Sequence, residues 1–217
     1  FRLIPIINDK KIREQTISYL KKKKYEVNQI TSLFIDLNNS NQQLRQNLRK
    51  SYKSLINKEK KFNQVLFSVD KHFSYKNFQD WINLYNSVLA RGNKKLSEDA
   101  IKNKENALKN EELFICLAYE KNKLLGGMTF NLNKYYISYS SAANNLSVEN
   151  DKSRSIGHHL MWESIIKLKE MNFNYIDLGS IDEKSMENEK LNNIIKFKKG
   201  FGPNELITSH FKKHFND

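Results

Sequence analysis

Two stretches decide the fold, SRSIGHHLMWESIIKLKEMNFNYIDLG (residues 153–179) and KLNNIIKFKKGFG (residues 190–202). In the first, apolar residues recur at helical spacing, and a short apolar run, Tyr175–Leu178, follows them. This pattern predicts an amphipathic helix that begins with a serine cap and leads into a buried strand. The second stretch predicts a basic helix that ends at Gly200 in the left-handed conformation.

Length, composition and charge limit the possible folds and partners of the chain. The chain has 217 residues, 39% of them hydrophobic, and a formal net charge of +13, so a packed domain with a basic surface is expected. Such a surface favours nucleic acid, phosphorylated donors or anionic lipid head groups as partners. Lysine- and asparagine-rich usage that reflects only the base composition of the genome explains the charge equally well. The chain begins with Phe1, so we expect a fragment or a processed form.

The cysteine content and the hydropathy exclude several kinds of site and segment. The single cysteine, Cys116, cannot form an intrachain disulfide or a cysteine-based metal site, and no metal is predicted. No apolar run approaches the ~20 residues that a bilayer span requires. We therefore expect a cytoplasmic protein, with peripheral attachment at the inner face of the membrane as the one membrane contact considered.

Three strand-like runs separated by short turns precede the first stretch. They cover residues 113–119, 124–132 and 135–142, which predicts an antiparallel meander. Gly126 and Gly127 within the middle run predict a bulge or a close approach of backbones. Helical periodicity and turn residues predict the remaining elements, namely helices over 41–60, 75–90 and 96–109 and two closing strands over 205–209 and 211–215. We place one domain at residues 31–217 and a separate N-terminal segment at residues 1–30.

The order of these elements resembles the GNAT acyltransferase superfamily, and four stretches resemble its Fem-type branch from bacterial cell-wall and surface-polysaccharide biosynthesis. They cover residues 33–61, 124–142, 153–179 and 189–203. The FKKGFG ending behind a strand with DLG is the most specific of them. The resemblance implies an α+β (α/β) GNAT fold, with a mixed sheet, an antiparallel meander, a central splayed pair of parallel strands and flanking helices.

The resemblance also implies an activity. A Fem-type enzyme would be an N-acyltransferase that moves an acyl or aminoacyl group onto an amine of a cell-envelope precursor, such as a nucleotide- or lipid-linked amino sugar. The implied donor is acyl-CoA, and aminoacyl-tRNA is the alternative. Fem-type enzymes usually carry two such domains, so residues 1–30 are interpreted as the remnant of an upstream half-domain.

The donor is expected at the start of the helix in the first stretch, because free N–H groups at a helix N-terminus bind phosphate. The usual GNAT donor motif is Arg/Gln-x-x-Gly-x-Gly/Ala. Its counterpart here has serine in place of the first glycine, which leaves aminoacyl-tRNA or another thioester open as donor. The donor-binding residues implied by the alignment are Lys152, Arg154, Ser155, Ile156 and Gly157.

Three residues are candidates for catalysis. The resemblance implies that Lys198 faces the reacting carbonyl or a donor phosphate, where an ammonium would stabilise the oxyanion. Asp177 lies at the end of a buried-looking strand and fits either an acceptor-orienting base or a structural cap. His158 shares a helical face with Trp162, and the helix end would lower its pKa and favour a neutral imidazole. A structural core histidine fits His158 equally, and His159 is expected at the surface.

The acceptor side has weaker candidates. Arg49 and Lys53 are four apart in the predicted helix 41–60, so they could clamp one phosphate, although a solvated helix face is the alternative. Tyr136 lies in the last strand of the meander and fits either the acceptor groove or the core. The FKKGFG ending adds further candidates for substrate binding, Lys199, Gly200, Phe201 and Gly202.

A function from another class fits the same residues. The basic helix over 41–61 could belong to a non-catalytic nucleic-acid-binding module that keeps the fold. Such a module would bind RNA with a steep salt dependence and would show no acyl transfer.

Overall fold

A computed structural model describes residues 2–3, 10–60, 64–133, 136–145, 154–181 and 188–212. The helices and strands in these ranges are β1 (Arg2–Leu3), α1 (Lys10–Lys22), β2 (Glu26–Asp36), α2 (Asn41–Asn47), α3 (Lys50–Lys60), β3 (Gln64–Phe67), α4 (Tyr75–Ala90), α5 (Glu98–Lys109), β4 (Leu113–Glu120), β5 (Lys123–Leu132), β6 (Ile137–Asn144), α6 (Ile156–Glu170), β7 (Tyr175–Ile181), α7 (Glu189–Lys199) and β8 (Asn204–Lys212). The predicted α+β architecture with a mixed sheet and flanking helices is confirmed. The splay of a central parallel pair stays a prediction.

The chain divides into two units of dense internal contact. One comprises Phe1–Ile35 and Asp177–Asp217, and the other comprises Asp36–Ile176. Strand β2 runs without a break across the domain boundary that we predicted between residues 30 and 31. The origin of residues 1–30 in an upstream half-domain stays a prediction.

The larger unit contains the meander. Strand β4 pairs with β5 and β5 pairs with β6, both antiparallel, which confirms the predicted arrangement. Strand β3 extends this group beyond β4. The third strand begins at Ile137, and the predicted first residue, Tyr135, lies outside the described residues.

Helix α6 packs against this meander through a broad apolar face. Its buried side chains include Ile156, Leu160, Ile165 and Leu168, and helix α3 covers it from another side. The helix stops before Asn172, whose φ of 63° ends the right-handed run.

The predicted helix over 41–60 is wrong as a single element. Ser40 and Gln43 form a capping box at the start of α2, but Leu48 adopts an extended conformation with ψ of 140° and helix α3 starts only at Lys50. Leu48 is buried, so the break turns an apolar side chain into the core. This gain in apolar burial offsets the loss of helical hydrogen bonds at the break.

The smaller unit contains β1, β8, β2 and β7 as neighbours in that order. As far as Lys212, the two predicted closing strands are one continuous strand, β8, which pairs antiparallel with both β1 and β2. Residues 213–215 of the second predicted strand lie outside the described residues. His210, where we expected the interruption, pairs with Arg2 on one side and Asn28 on the other. Two ladders therefore hold the strand straight through this position.

Of the two alternatives predicted at the meander glycines, the bulge is confirmed, because the register of β4 and β5 shifts between Ala118 and Tyr119, opposite Gly126. Side chains, in addition, approach both glycines closely. A Cβ atom on Gly127 would lie 2.6 Å from Cε3 of Trp81 and 2.7 Å from Cδ2 of Leu117. A Cβ atom on Gly126 would lie 2.6 Å from Oδ1 of Asn144. Trp81 is wholly buried, so its indole occupies the space that a side chain at residue 127 would need.

We predict that Gly127→Ala lowers the free energy of unfolding by about 1–3 kcal/mol, because the added methyl group overpacks a rigid core. Gly92→Ala is the matched control, since its Cβ atom would meet only Leu89 O at 3.6 Å. Urea denaturation of both variants measures the effect. Equal losses in the two variants would contradict the packing around Trp81.

Candidate active site

A buried carboxylate lies within strand β7, which continues to Ile181, beyond the predicted end at Leu178. Asp177 is 1% exposed, and its Oδ1 atom accepts a hydrogen bond of 2.8 Å from the N–H of Gly179. Gly179 has a φ of +97°, a conformation that residues with a Cβ atom rarely adopt. The glycine therefore lets the backbone turn back toward the Asp177 side chain.

Lys198 from helix α7 faces this part of strand β7. Its Nζ atom lies 3.4 Å from the position that a Cβ atom on Gly179 would take. Burial lowers the pKa of Lys198, and the negative charge of Asp177 acts in the opposite direction. Two of the three predicted catalytic residues, Asp177 and Lys198, thus lie together in the smaller unit, with an ammonium partly removed from water.

The neighbouring lysines differ in their surroundings. Lys196 and Lys199 are both exposed, and the Nζ atom of Lys199 lies 2.6 Å from Oε1 of Glu205. Helical geometry separates residues one and two positions apart, which explains why only Lys198 of the three turns inward. Substrate binding by Lys199 stays a prediction.

The glycine-rich ending differs from the prediction in its backbone. Gly200 caps α7 in the right-handed conformation with φ of −67°, so the predicted left-handed Gly200 is wrong. Gly202 takes that role with φ of 70°. The rings of Phe197 and Phe201 meet edge to face with centroids 5.2 Å apart, and Phe201 is buried. Phe201 anchors the end of α7, and binding of substrate by Gly200, Phe201 or Gly202 stays a prediction.

The start of helix α6 is built differently from the predicted phosphate site. Ser155 makes no capping hydrogen bond with its side chain, so the predicted serine cap is wrong at this residue. Its N–H donates instead to Oε1 of Glu59 at 2.7 Å. Nε of Arg154 also donates to Glu59, at 3.2 and 3.3 Å, and Nη1 of Arg154 lies 3.4 Å from Glu120.

Glu59 was not predicted as a site residue. Its carboxylate is 0% exposed and stands where we expected the donor phosphate. The one available signal was its spacing from Tyr52 and Ile56, which are seven and three positions earlier and share the buried face of α3. Among the other predicted donor residues, Ile156 is buried and Gly157 is half-buried, and Lys152 lies outside the described residues.

His158 lies in the larger unit against helix α3. Its ring meets Tyr52 edge to face at 4.3 Å between centroids, and the guanidinium of Arg49 lies 5.3 Å from the centroid of the same tyrosine. Burial and then the positive charge of Arg49 lower the pKa of His158 to about 4. The predicted neutral imidazole is confirmed, although burial is the main cause and the helix end was the expected one.

His159 is not at the surface, which makes that prediction wrong. It is 1% exposed, and neither ring nitrogen has a hydrogen-bond partner within the described part of the chain. Burial lowers its pKa to about 4. The charge of Glu59 raises the pKa and that of Lys60 lowers it, each by less than burial does. Oε1 of Glu163 lies 3.8 Å from its Nδ1 atom. Helix α3 covers this side of α6, and the spacing within α6 alone could not reveal that.

The two residues of the predicted acceptor clamp do not both lie within one helix. Arg49 precedes the first residue of α3, so it does not share a helix turn with Lys53 in the way that the prediction required. The Nζ atom of Lys53 donates to the carbonyl of Gln46 at 3.3 Å. Tyr136 is half-buried just before β6, and acceptor binding by these three residues stays a prediction.

The described residues contain neither a candidate membrane span nor a candidate metal cluster. Across the ranges that the structure covers, no helix is both long and apolar enough to span a bilayer. Within the same ranges, no three His, Cys, Asp or Glu side chains cluster in a way that could hold a metal ion.

We predict that acid destabilises the protein through its buried histidines. Both have a pKa of about 4 in the fold and 6.5 as the ordinary value, so the unfolded chain binds more protons between these pH values. The stability is present above pH ~6.5 and is lost as pH falls toward ~4, by about 3 kcal/mol for His159. Urea unfolding against pH should therefore show a shallower acid limb for His159→Leu than for the wild type.

The exposed His72 provides the control for this measurement. His72→Leu should leave the acid limb of the wild type unchanged. An acid limb that is equally steep in His159→Leu and His72→Leu would show that burial of His159 has no part in the loss of stability.

Comparison with known proteins gives matches of structure only. No protein-family model and no curated protein matches the chain. FemX matches with a TM-score of 0.69 at 10% identity, over 89% of this chain and 67% of that chain. L-PGS from Bacillus licheniformis matches with a TM-score of 0.58 at 11% identity, over 90% of this chain and 65% of that chain.

A smaller enzyme matches this chain over almost all of its own length. An aminoglycoside acetyltransferase from an uncultured soil metagenomic sample, in complex with sisomicin, matches with a TM-score of 0.50 at 14% identity, over 72% of this chain and 99% of that chain. The chain spans about two thirds of the length of FemX and of L-PGS. At these identities the likeness is one of fold, and the chain has the fold of the Fem-type GNAT acyltransferases.

Proposed function

We propose that the protein is an N-acyltransferase that moves an acyl or aminoacyl group from a thioester or ester donor onto an amine of a cell-envelope precursor. A nucleotide- or lipid-linked amino sugar is the proposed acceptor. The observation that carries the proposal is the pair formed by Asp177 and Lys198 beside Gly179. The pair joins strand β7 to helix α7, in a fold shared with FemX and an aminoglycoside acetyltransferase.

The proposed chemistry needs no covalent intermediate on the protein. The acceptor nitrogen attacks the carbonyl carbon of the donor, a C–N bond forms, and the carbonyl oxygen becomes an oxyanion. Collapse of this intermediate breaks the C–S or C–O bond, and the leaving group departs with the electron pair and takes up a proton. Lys198 would stabilise the oxyanion, because an ammonium with little water around it interacts strongly with a nearby negative charge.

The amine must lose a proton during the reaction. Asp177 would orient the amine or accept this proton. The neutral ring of His158 supports it as the second candidate for the same role, since a histidine with a pKa of about 4 is unprotonated near neutral pH.

Acyl-CoA and aminoacyl-tRNA are the proposed donors. The name of another structural neighbour, the C-terminal domain of a putative lysylphosphatidylglycerol synthetase from Agrobacterium fabrum, supports an aminoacyl group as cargo and a lipid as acceptor. The net charge of +13 supports contact with tRNA or with an anionic membrane surface. Arg49, Lys53, Tyr136 and the residues Lys199–Gly202 are the proposed acceptor contacts.

A nucleic-acid-binding module is the second candidate function. Its support is the exposure of Arg49, Lys50, Lys58 and Lys60 in and just before helix α3. The partly buried ammonium of Lys198 beside a buried carboxylate favours the enzyme, because phosphate backbones are bound by exposed cations.

We predict that Lys198→Met lowers the turnover number by roughly 10²-fold with little change in stability, because one donor to the oxyanion is lost. Lys196→Met is the matched control, since Lys196 lies two positions earlier on the same helix and is exposed. Steady-state kinetics and thermal melting of both variants test this. Small and equal effects on turnover would reduce Lys198 to a structural charge.

We predict that Asp177→Asn moves the alkaline limb of the pH–rate profile to lower pH. The attraction of Asp177 raises the pKa of Lys198 against the effect of burial, so its removal lets the ammonium lose its proton earlier as pH rises. The asparagine keeps an oxygen that can accept from Gly179. Glu205→Gln, which removes the partner of Lys199, should leave the limb in place. If the alkaline limb does not move in Asp177→Asn, the protonation of Lys198 does not control the rate.

A further inference from the structure

We infer that Glu59 is a built-in anion at the amino end of helix α6 and that it lowers the affinity of this helix end for phosphate-bearing donors. Glu59 would then be a specificity-determining residue for the donor. The inference rests on the proposed acyltransferase function, because only a transferase with this fold would have its donor selected here.

The contacts of Glu59 are those that a bound phosphate would make. Its Oε1 atom accepts the N–H of Ser155 at 2.7 Å, and its two oxygens accept Nε of Arg154 at 3.3 and 3.2 Å. The side chain is wholly buried, so these bonds form away from competing water. Backbone N–H groups at a helix start together with a guanidinium are a standard phosphate site.

Helix packing holds the carboxylate in this place. Tyr52, Ile56 and Glu59 lie on one face of α3 and are all buried. Tyr52 packs on the ring of His158 in the first turn of α6. Helices α3 and α6 therefore have a second contact, close to the one between Glu59 and Ser155. A carboxylate on a packed helix cannot move aside as one on a loop could.

The negative charge of Glu59 changes the electrostatics at the start of α6. A helix start carries a partial positive charge of about half a unit, which the carboxylate of Glu59 already balances. The side chain of Arg154 is 18% exposed and is shared between Glu59 and Glu120. A phosphate at this helix start would therefore meet a fixed negative charge, which disfavours a donor that places its pyrophosphate here.

Inorganic pyrophosphate is the probe for the test. Isothermal titration at fixed ionic strength should show that Glu59→Gln binds pyrophosphate at least roughly tenfold more tightly than the wild type. Glu120→Gln is the matched control, because Glu120 contacts the same arginine without bonding to the helix start. It should bind as the wild type does. Equal affinities for the wild type and Glu59→Gln would overturn the inference.

If Glu59→Gln does not fold, an NMR titration of the wild type tests the inference. The amide resonance of Ser155, followed by NMR, should not move during a titration with millimolar pyrophosphate, because its N–H is already bound to Glu59. A saturable shift of that resonance would overturn the inference. Both readouts measure binding without acyl transfer, so a failure of the proposed function would leave them unchanged and can be told apart from a failure of the role of Glu59.

Discussion

Burial of charged groups is the physical constraint on which both candidate sites depend. An isolated carboxylate removed from water costs on the order of several kcal/mol, yet Asp177 and Glu59 are 1% and 0% exposed. Each accepts a backbone N–H, from Gly179 and from Ser155 respectively. Each also has a cation close by, so the two units use the same means to keep a carboxylate inside the protein.

The two buried carboxylates have different consequences. Glu59 bonds directly to Arg154 and to the start of α6, so its charge is balanced within the protein. Lys198 is only partly buried, its pKa is lowered by burial, and Asp177 opposes that effect. An ammonium in this state gains from a further negative charge, which is what an acyl-transfer transition state provides.

Local periodicity was enough to predict the elements whose burial follows their own spacing. Helix α4 was predicted at residues 75–90 and is found there, and the meander and α6 were found close to their predicted bounds. Asp177 and Lys198 could be named because each stands beside a glycine in a recognisable ending. Their proximity could not be derived from spacing, since it depends on how α7 packs on β7.

Three of the errors share one cause, a partner that is distant in the chain. Glu59 meets Ser155 across 96 positions, so its spacing within α3 could indicate burial but not this partner. His159 lies on the side of α6 that α3 covers, which the spacing within α6 does not show. Strand β8 stays whole because β1 and β2 pair with it from both sides. Tertiary contacts of this kind override local signals.

The central claim is that the protein forms an amide at the Asp177–Lys198 pair, and product detection tests it most directly. The purified protein would be incubated with a panel of acyl-CoA thioesters and aminoacyl-tRNAs and with amino-sugar acceptors, and the acceptors analysed by mass spectrometry. The account predicts an acceptor heavier by one acyl or aminoacyl group with at least one donor class. Absence of any such product across the panel, from protein shown to be folded, would contradict it.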